Sequence, residues 1–188
     1  MKDKRPDPLE ARTHPLTSDR PGPAVWLVGA HGGAGVSTLA HFLAFTGDSR
    51  RQWPCGTDRE AESPYVVIVA RETISGLAEA HGRILELNDR PELGIELLGL
   101  VTVADSQKLT KAVRQYREVV AASVPEHWSI GWHSFLPSAE LRALPSWHPL
   151  EGVPTQTKGA AVPSDVIEAG IGIVTAVQRA LPGLRAAR

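Results

Sequence analysis

An apolar run that breaks into glycines and then resumes with helical spacing constrains this chain more than any other stretch: residues 24–40, AVWLVGAHGGAGVSTLA. The order predicts a β-strand, a tight loop and a helix. Gly29, Gly32, Gly33 and Gly35 remove Cβ atoms where the backbone must turn and where a phosphate could approach it. The phosphate-loop template G-x-x-x-x-G-K-[ST] aligns with Gly35 as its second glycine, Ala30 at the first, Val36 at the lysine and Ser37 at the hydroxyl position. The pattern predicts an anion cradle without its lysine.

The rest of the chain repeats the alternation. Residues 1–23 contain Pro6, Pro8, Pro15, Pro21 and Pro23 among scattered charges, with no apolar period, and read as a disordered leader. Residues 24–188 then form a single domain, since a chain of 188 residues can bury one full core. Strands are expected at 25–28, 65–70 (YVVIVA), 95–104 (IELLGLVTVA) and, with a weaker pattern, 127–136. Between them fall a helix at 37–45 and a helix at 73–87 with Ile74, Leu77, Ala78, Ile84 and Leu85 inward. A third, capped by Ser106, carries Leu109, Val113, Tyr116 and Val120, and a short helical piece covers 138–144. Residues 47–63 and 145–163 read as loops. A C-terminal helix at 164–182, capped by Asp165, presents Ile167, Ile171, Val174, Val177 and Leu181. Strands alternating with helices imply an α/β fold, a mainly parallel sheet with helices on both faces. Ligands bind such sheets beyond the strands' carboxyl ends, where the glycine loop and Arg71 fall.

Several function classes are excluded or weakened. A net charge of -1 exerts no global pull on nucleic acid or on a membrane surface. One cysteine, Cys55, makes no internal disulfide. No apolar run approaches the roughly 18 residues of a membrane span, and no apolar segment follows the first residues as a signal peptide would, so a cytoplasmic protein without membrane contact is expected. The histidines show no metal-ligand spacing. A short-chain dehydrogenase would need Tyr-x-x-x-Lys, but Val69 follows Tyr65 and Val120 follows Tyr116. There is no G-x-S-x-G elbow.

The segment AHGGAGVSTLA resembles the variant P-loop of ParA/MinD-type ATPases, which commonly reads KGGxGK[ST]T. VVIVARETISGLAEA, GLVTVAD and IGWHSFLPSAEL resemble later strands of those proteins. The fuller pattern, over residues 25–144, resembles a family of actinobacterial P-loop-like proteins that brings no known activity. The resemblance implies a P-loop NTPase-like three-layer sandwich, reduced in size. It also implies a nucleotide site built from His31, Gly32, Gly33, Ala34, Gly35, Val36, Ser37 and Thr38 with Arg71, and Ser37 as a Mg²⁺ ligand for ATP or another nucleotide. A protein partner is expected, with a homodimer and DNA as further alternatives.

The departures from that family weigh against turnover. His31 replaces the signature lysine and Val36 the P-loop lysine. One charged hydrogen bond to phosphate is worth ~1.5–3 kcal/mol, or about 10- to 100-fold in affinity. The YVVIVA strand runs into Arg71 and Glu72 where a Walker B aspartate belongs, leaving Asp105 as a poor candidate, and the span after the first helix leaves no room for the usual intervening strand. The expectation is weak or vestigial nucleotide binding, no catalytic residue, and action through protein contacts in assembly, partition or mobile-element biology. The alternatives are an active ATPase in which Arg71 or a partner residue replaces the lysine, and a DNA-associated module using Lys108, Lys111, Arg114 and Arg117. Each feature also has a plain structural reading: a tight turn at the glycines, His31 at the loop surface, Arg71 paired with Glu72 or a neighbouring carboxylate, and packing roles for Trp26, Trp53, Trp128, Trp132 and Trp147.

Overall fold

Unbroken β-branched runs leave no polar face for water, so they belong in the middle of a sheet covered on both sides. The computed structural model, which describes residues 6–15, 22–54, 61–152 and 161–181, puts them there. β1 (Val25–Gly29) and β3 (Tyr65–Arg71) are central, flanked by β2 (Thr46–Asp48) on one side and by β4 (Glu96–Val103) and β5 (His127–Ile130) on the other. The order is β2-β1-β3-β4-β5, and every pairing is parallel.

Parallel crossovers are right-handed, so the direction of each step fixes the face its helix covers. The step from β1 outward to β2 places α1 (Val36–Phe42) on one face. The steps from β3 to β5 run the other way and place α2 (Ile74–Asn88) and α3 (Lys111–Ala121) on the opposite face. After β5, α4 (Ser164–Ala180) returns to the α1 side. Side chains alternate accordingly: Val25 and Leu27 join the cluster under α1 and α4, whereas Trp26 and Val28 join the one under α2 and α3. The result is a three-layer α/β sandwich. α4 lies so close to β5 that a Cβ on Gly172 would collide with the Trp128 indole. Among the described residues no helix is long and apolar enough to cross a membrane.

Several expectations need correction. β2 overlaps the start of the stretch read as a loop at 47–63 and supplies the intervening strand for which no room was expected. At three residues, TGD, it is too short to show a period. Residues 6–15 of the expected disordered leader instead pack on α2. Leu9 is buried and its N–H donates to Glu86 Oε1 at 2.8 Å. Arg12 N–H donates to the Trp53 carbonyl and Trp53 N–H to that of Glu10. The Arg12 guanidinium stacks 4.3 Å from the Trp26 ring centroid, and the buried Arg83 donates to the Asp7 carbonyl at 2.6 Å. An extended strap with one buried leucine has no apolar repeat to read.

Caps and stripes shift as well. α1 ends at Phe42, short of the expected residue 45. Thr110, not Ser106, caps α3, accepting from Val113 N–H. Pro163, not Asp165, precedes α4. Ile171 and Leu181 are exposed because Val166, Ala169, Gly170, Ile173 and Ala176 form the inward stripe. On α2 the inward set is Leu77, Ala80, Ile84 and Leu87, leaving Ile74 and Ala78 outside. The piece at 138–144 is two 3₁₀ turns, Leu136–Ser138 and Leu141–Ala143. In the expected loop at 145–163, Trp147 is buried against Gly170. Residue 182, the expected end of the C-terminal helix, lies outside the described residues, as does Cys55.

Candidate functional site

The sheet order reverses its direction at β1, and the crevice beyond the carboxyl ends of β1 and β3 is where an open α/β sheet binds ligands. The glycine loop leaves β1 there. Gly33 (φ 76°) and Gly35 (φ 98°) take backbone conformations that an L side chain strains to adopt, so the glycines answer to the loop's path.

Two side-chain contacts fasten this loop to the end of β3. The Arg71 N–H donates to His31 Nε2 at 3.2 Å. A backbone N–H can only donate, so Nε2 is the unprotonated nitrogen, and Nδ1 carries the hydrogen that meets the Gly32 carbonyl at 2.9 Å. His31 is thus a loop fastener and not a free surface residue. The Arg71 side chain folds back over the loop, its Nε donating to the Gly33 carbonyl at 3.1 Å and Nη1 to the Ala104 carbonyl at 3.4 Å. Asp105 lies 3.9 Å from Nη1.

Glu72 does not pair with Arg71. Its Oε1 accepts from Thr102 Oγ1 at 2.8 Å, Arg117 Nη1 at 2.8 Å and Ser129 Oγ at 3.2 Å, a buried network beneath α3. Thr102 Oγ1 also meets His127 Nε2 at 3.0 Å. Burial holds the His127 pKa below its ordinary value, Arg117 adds to the depression, and Glu72 opposes it. Arg117 therefore leaves the expected basic face, where Lys108, Lys111 and Arg114 stay exposed.

On the other side of the loop stands a residue that sequence reasoning missed. Asp48, the last residue of β2, accepts from Ser37 Oγ at 2.7 Å, and its other oxygen accepts from Arg50 N–H at 2.8 Å. Whereas Asp105 lies beside Arg71, Asp48 is thus a carboxylate at a strand end facing the hydroxyl of the loop. Its only sequence signal was an aspartate after a short Thr-Gly step. Val36, at the lysine position, is 9% exposed, and its Cγ2 lies against Gly29, so this position serves the core.

Two cavities meet here. One, of about 470 Å³, is lined by the glycine loop, Ser37, Thr38, Asp48 and three arginines, Arg50, Arg51 and Arg71. The other, of about 350 Å³, is mainly apolar, walled by Leu39, Phe42, Val103, Ile130, Leu136 and Val166. They share Gly35, Thr38 and Arg71. At the rim of the apolar cavity His133 donates from Nε2 to Asp165, 3.0 Å away, and Asp165 also accepts from Gly131 N–H at 2.7 Å. That contact is what Asp165 does instead of capping α4. Trp132 lines this cavity, while Trp26, Trp53 and Trp147 are buried in packing roles.

A family model matches residues 23–140. The chain belongs to DUF6668, a family of unknown function. No curated protein and no solved structure matches it. The DUF6668 match takes in all five strands, the glycine loop, Asp48 and the three arginines, and ends before α4 and Asp165. Among the described residues no group of three or more His, Cys, Asp or Glu could hold a metal ion by itself.

Proposed function

We propose that this chain is a nucleotide-binding protein whose glycine loop is a P-loop without its lysine, related to the ParA/MinD type, and that it acts through binding and protein contacts. Assembly, partition or mobile-element biology is the setting such contacts suit. The observation that carries the proposal is the Arg71 side chain lying on the loop, with Nε on the Gly33 carbonyl, at the topological switch point of the sheet. A guanidinium keeps its charge at any physiological pH and presents a planar fork to phosphate oxygens. The adjoining apolar cavity offers room for the rest of a nucleotide.

The oxygen donors beside the loop suit Mg²⁺. A hydroxyl and a carboxylate in contact, Ser37 Oγ and Asp48 Oδ2, are hard ligands of the kind Mg²⁺ takes together with substrate phosphates and water. Those two residues would hold the ion, which would supply positive charge against the phosphate oxygens. Ser37 and Asp48 also favour the second reading, an active ATPase. Against it, Val36 is committed to the core, and the loop keeps no lysine for charge developing on the transferred phosphoryl group.

Calorimetric titration of ATP, ADP and GTP, with and without Mg²⁺, tests the proposal. Saturable binding that Mg²⁺ strengthens is expected, with turnover below about one per second, the low end of ordinary enzyme rates. Absence of binding for all three nucleotides would refute it. Mg²⁺-dependent turnover above that rate, lost in Ser37→Ala, would establish the ATPase instead.

A further inference from the structure

We infer that Arg50 and Arg51, on the turn that leaves β2, are the second cationic jaw of the phosphate site, and that the two jaws together select a diphosphate over a single phosphate. The inference rests on the nucleotide-binding proposal and adds residues and a ligand class to it.

β1 has β2 on one side and β3 on the other, so a loop leaving β1 emerges between whatever those two strands present at their ends. β3 presents Arg71. β2 ends at Asp48, paired with Leu27, and the chain then turns, with Gln52 N–H donating to the Ser49 carbonyl at 3.2 Å. Both central residues of that turn have positive φ, 56° at Arg50 and 57° at Arg51. Glycine, asparagine and aspartate normally fill such a turn, and the left-handed conformation is strained for an L-residue with a side chain. Two successive arginines held this way, with Asp48 Oδ1 pinning the Arg50 N–H, are an observed backbone outlier at the edge of a cleft, which is where strain marks function.

Both arginines line the 470 Å³ cavity, both are exposed, and neither guanidinium has a carboxylate partner among the described residues. Asp48, the one acid among the described residues lining that cavity, has one oxygen on Ser37 and the other on the Arg50 backbone. Cations therefore stand on opposite sides of the loop. A lone phosphate engages one side well, whereas two linked phosphates span both, with fork-to-oxygen contacts at each end.

The test titrates the full chain with pyrophosphate and with inorganic phosphate, then repeats both on the double variant R50G/R51G. Glycine adopts positive φ freely, so this variant keeps the turn and its thermal midpoint stays level or rises. The wild type is expected to prefer pyrophosphate, and the variant to lose at least about tenfold in pyrophosphate affinity with its preference over phosphate collapsed. R50K/R51K, which retains charge without the fork, is expected to fall between the two. Unchanged pyrophosphate affinity in a folded R50G/R51G, or a wild type that binds the two anions equally, overturns the inference while the nucleotide-binding proposal stands. A wild type that binds neither pyrophosphate nor any nucleotide overturns both.

Discussion

Replacing Arg71 by alanine separates a ligand-binding arginine from one that only orders the rim of the sheet. The guanidinium spends Nε on the Gly33 carbonyl at 3.1 Å and one Nη1 hydrogen on the Ala104 carbonyl at 3.4 Å, leaving Nη2 with no partner among the described residues. The side chain is 33% exposed and its second bond is long, so the stability at stake is about 1 kcal/mol, the ordinary net worth of a hydrogen bond. In a domain of this size that lowers the unfolding midpoint by about 2–4 °C. If the free hydrogens meet phosphate, affinity falls separately by ~1.5–3 kcal/mol, about 10- to 100-fold. Calorimetry and thermal unfolding on Arg71→Ala read the two effects independently. Loosening of the loop is controlled by His31→Ala, which removes the bond from the Arg71 N–H without removing the charge. A midpoint drop with nucleotide affinity unchanged would refute the phosphate role. So would a His31→Ala variant that loses as much affinity as Arg71→Ala.

Further predictions concern the same crevice and the network behind it. Val36→Lys restores the motif on paper, yet position 36 is a core position. The variant is expected to lose stability, by several kcal/mol if the ammonium stays buried and less where it snorkels into the cleft; an unchanged melting temperature with tenfold tighter nucleotide would contradict this. Asp48→Asn is expected to abolish the Mg²⁺ enhancement of nucleotide affinity while leaving Mg²⁺-free binding within a few-fold, measured by paired titrations. His127 is held neutral in the fold with its pKa below 6.5, so the unfolded chain takes up that proton first as pH falls. Stability is therefore expected to decline as pH drops below about 6.5, towards the lowered folded value. His127→Gln should flatten that slope in melts between pH 5 and 7.

The layers of this fold were legible where a segment repeats its physics over several residues. YVVIVA and IELLGLVTVA announce buried parallel strands, and the glycines of 29–35 announce a strand-to-helix turn. The interface registers were not legible. α4 is apolar on most of its circumference, so Ile171 and Ile173 are equivalent in sequence, and the close approach of Trp128 and Trp147 to Gly172 and Gly170 decides which face turns inward. The strap at 6–15 was invisible for a different reason. Beyond the Leu9 and Arg12 side chains, its hold comes from main-chain groups meeting Glu86, Arg83 and Trp53, and main-chain hydrogen bonds leave no trace in residue type. At the site, the loop and Arg71 were readable because each adjoins a confident strand. Asp48, Arg50 and Arg51 were not, because their place depends on a three-residue strand pairing with β1.

The missing lysine and the hidden strand are two aspects of one arrangement. Val36 sits over Gly29 and joins the cluster beneath α1 and α4, so a lysine at this position would have to abandon packing that the short helix α1 needs to stay in place. A loop that gives its lysine position to the core can gather positive charge only from its neighbours in the sheet, and the doubly wound order gives β1 a neighbour on each side. The end of β3 contributes Arg71 and the turn after β2 contributes Arg50 and Arg51, while Asp48 ties that turn to Ser37. Anything that displaces β2, such as loss of its pairing at Leu27 and Asp48, then removes the carboxylate and two of the three cations together. On the proposed reading, anion binding at this loop is coupled to the integrity of the sheet's edge.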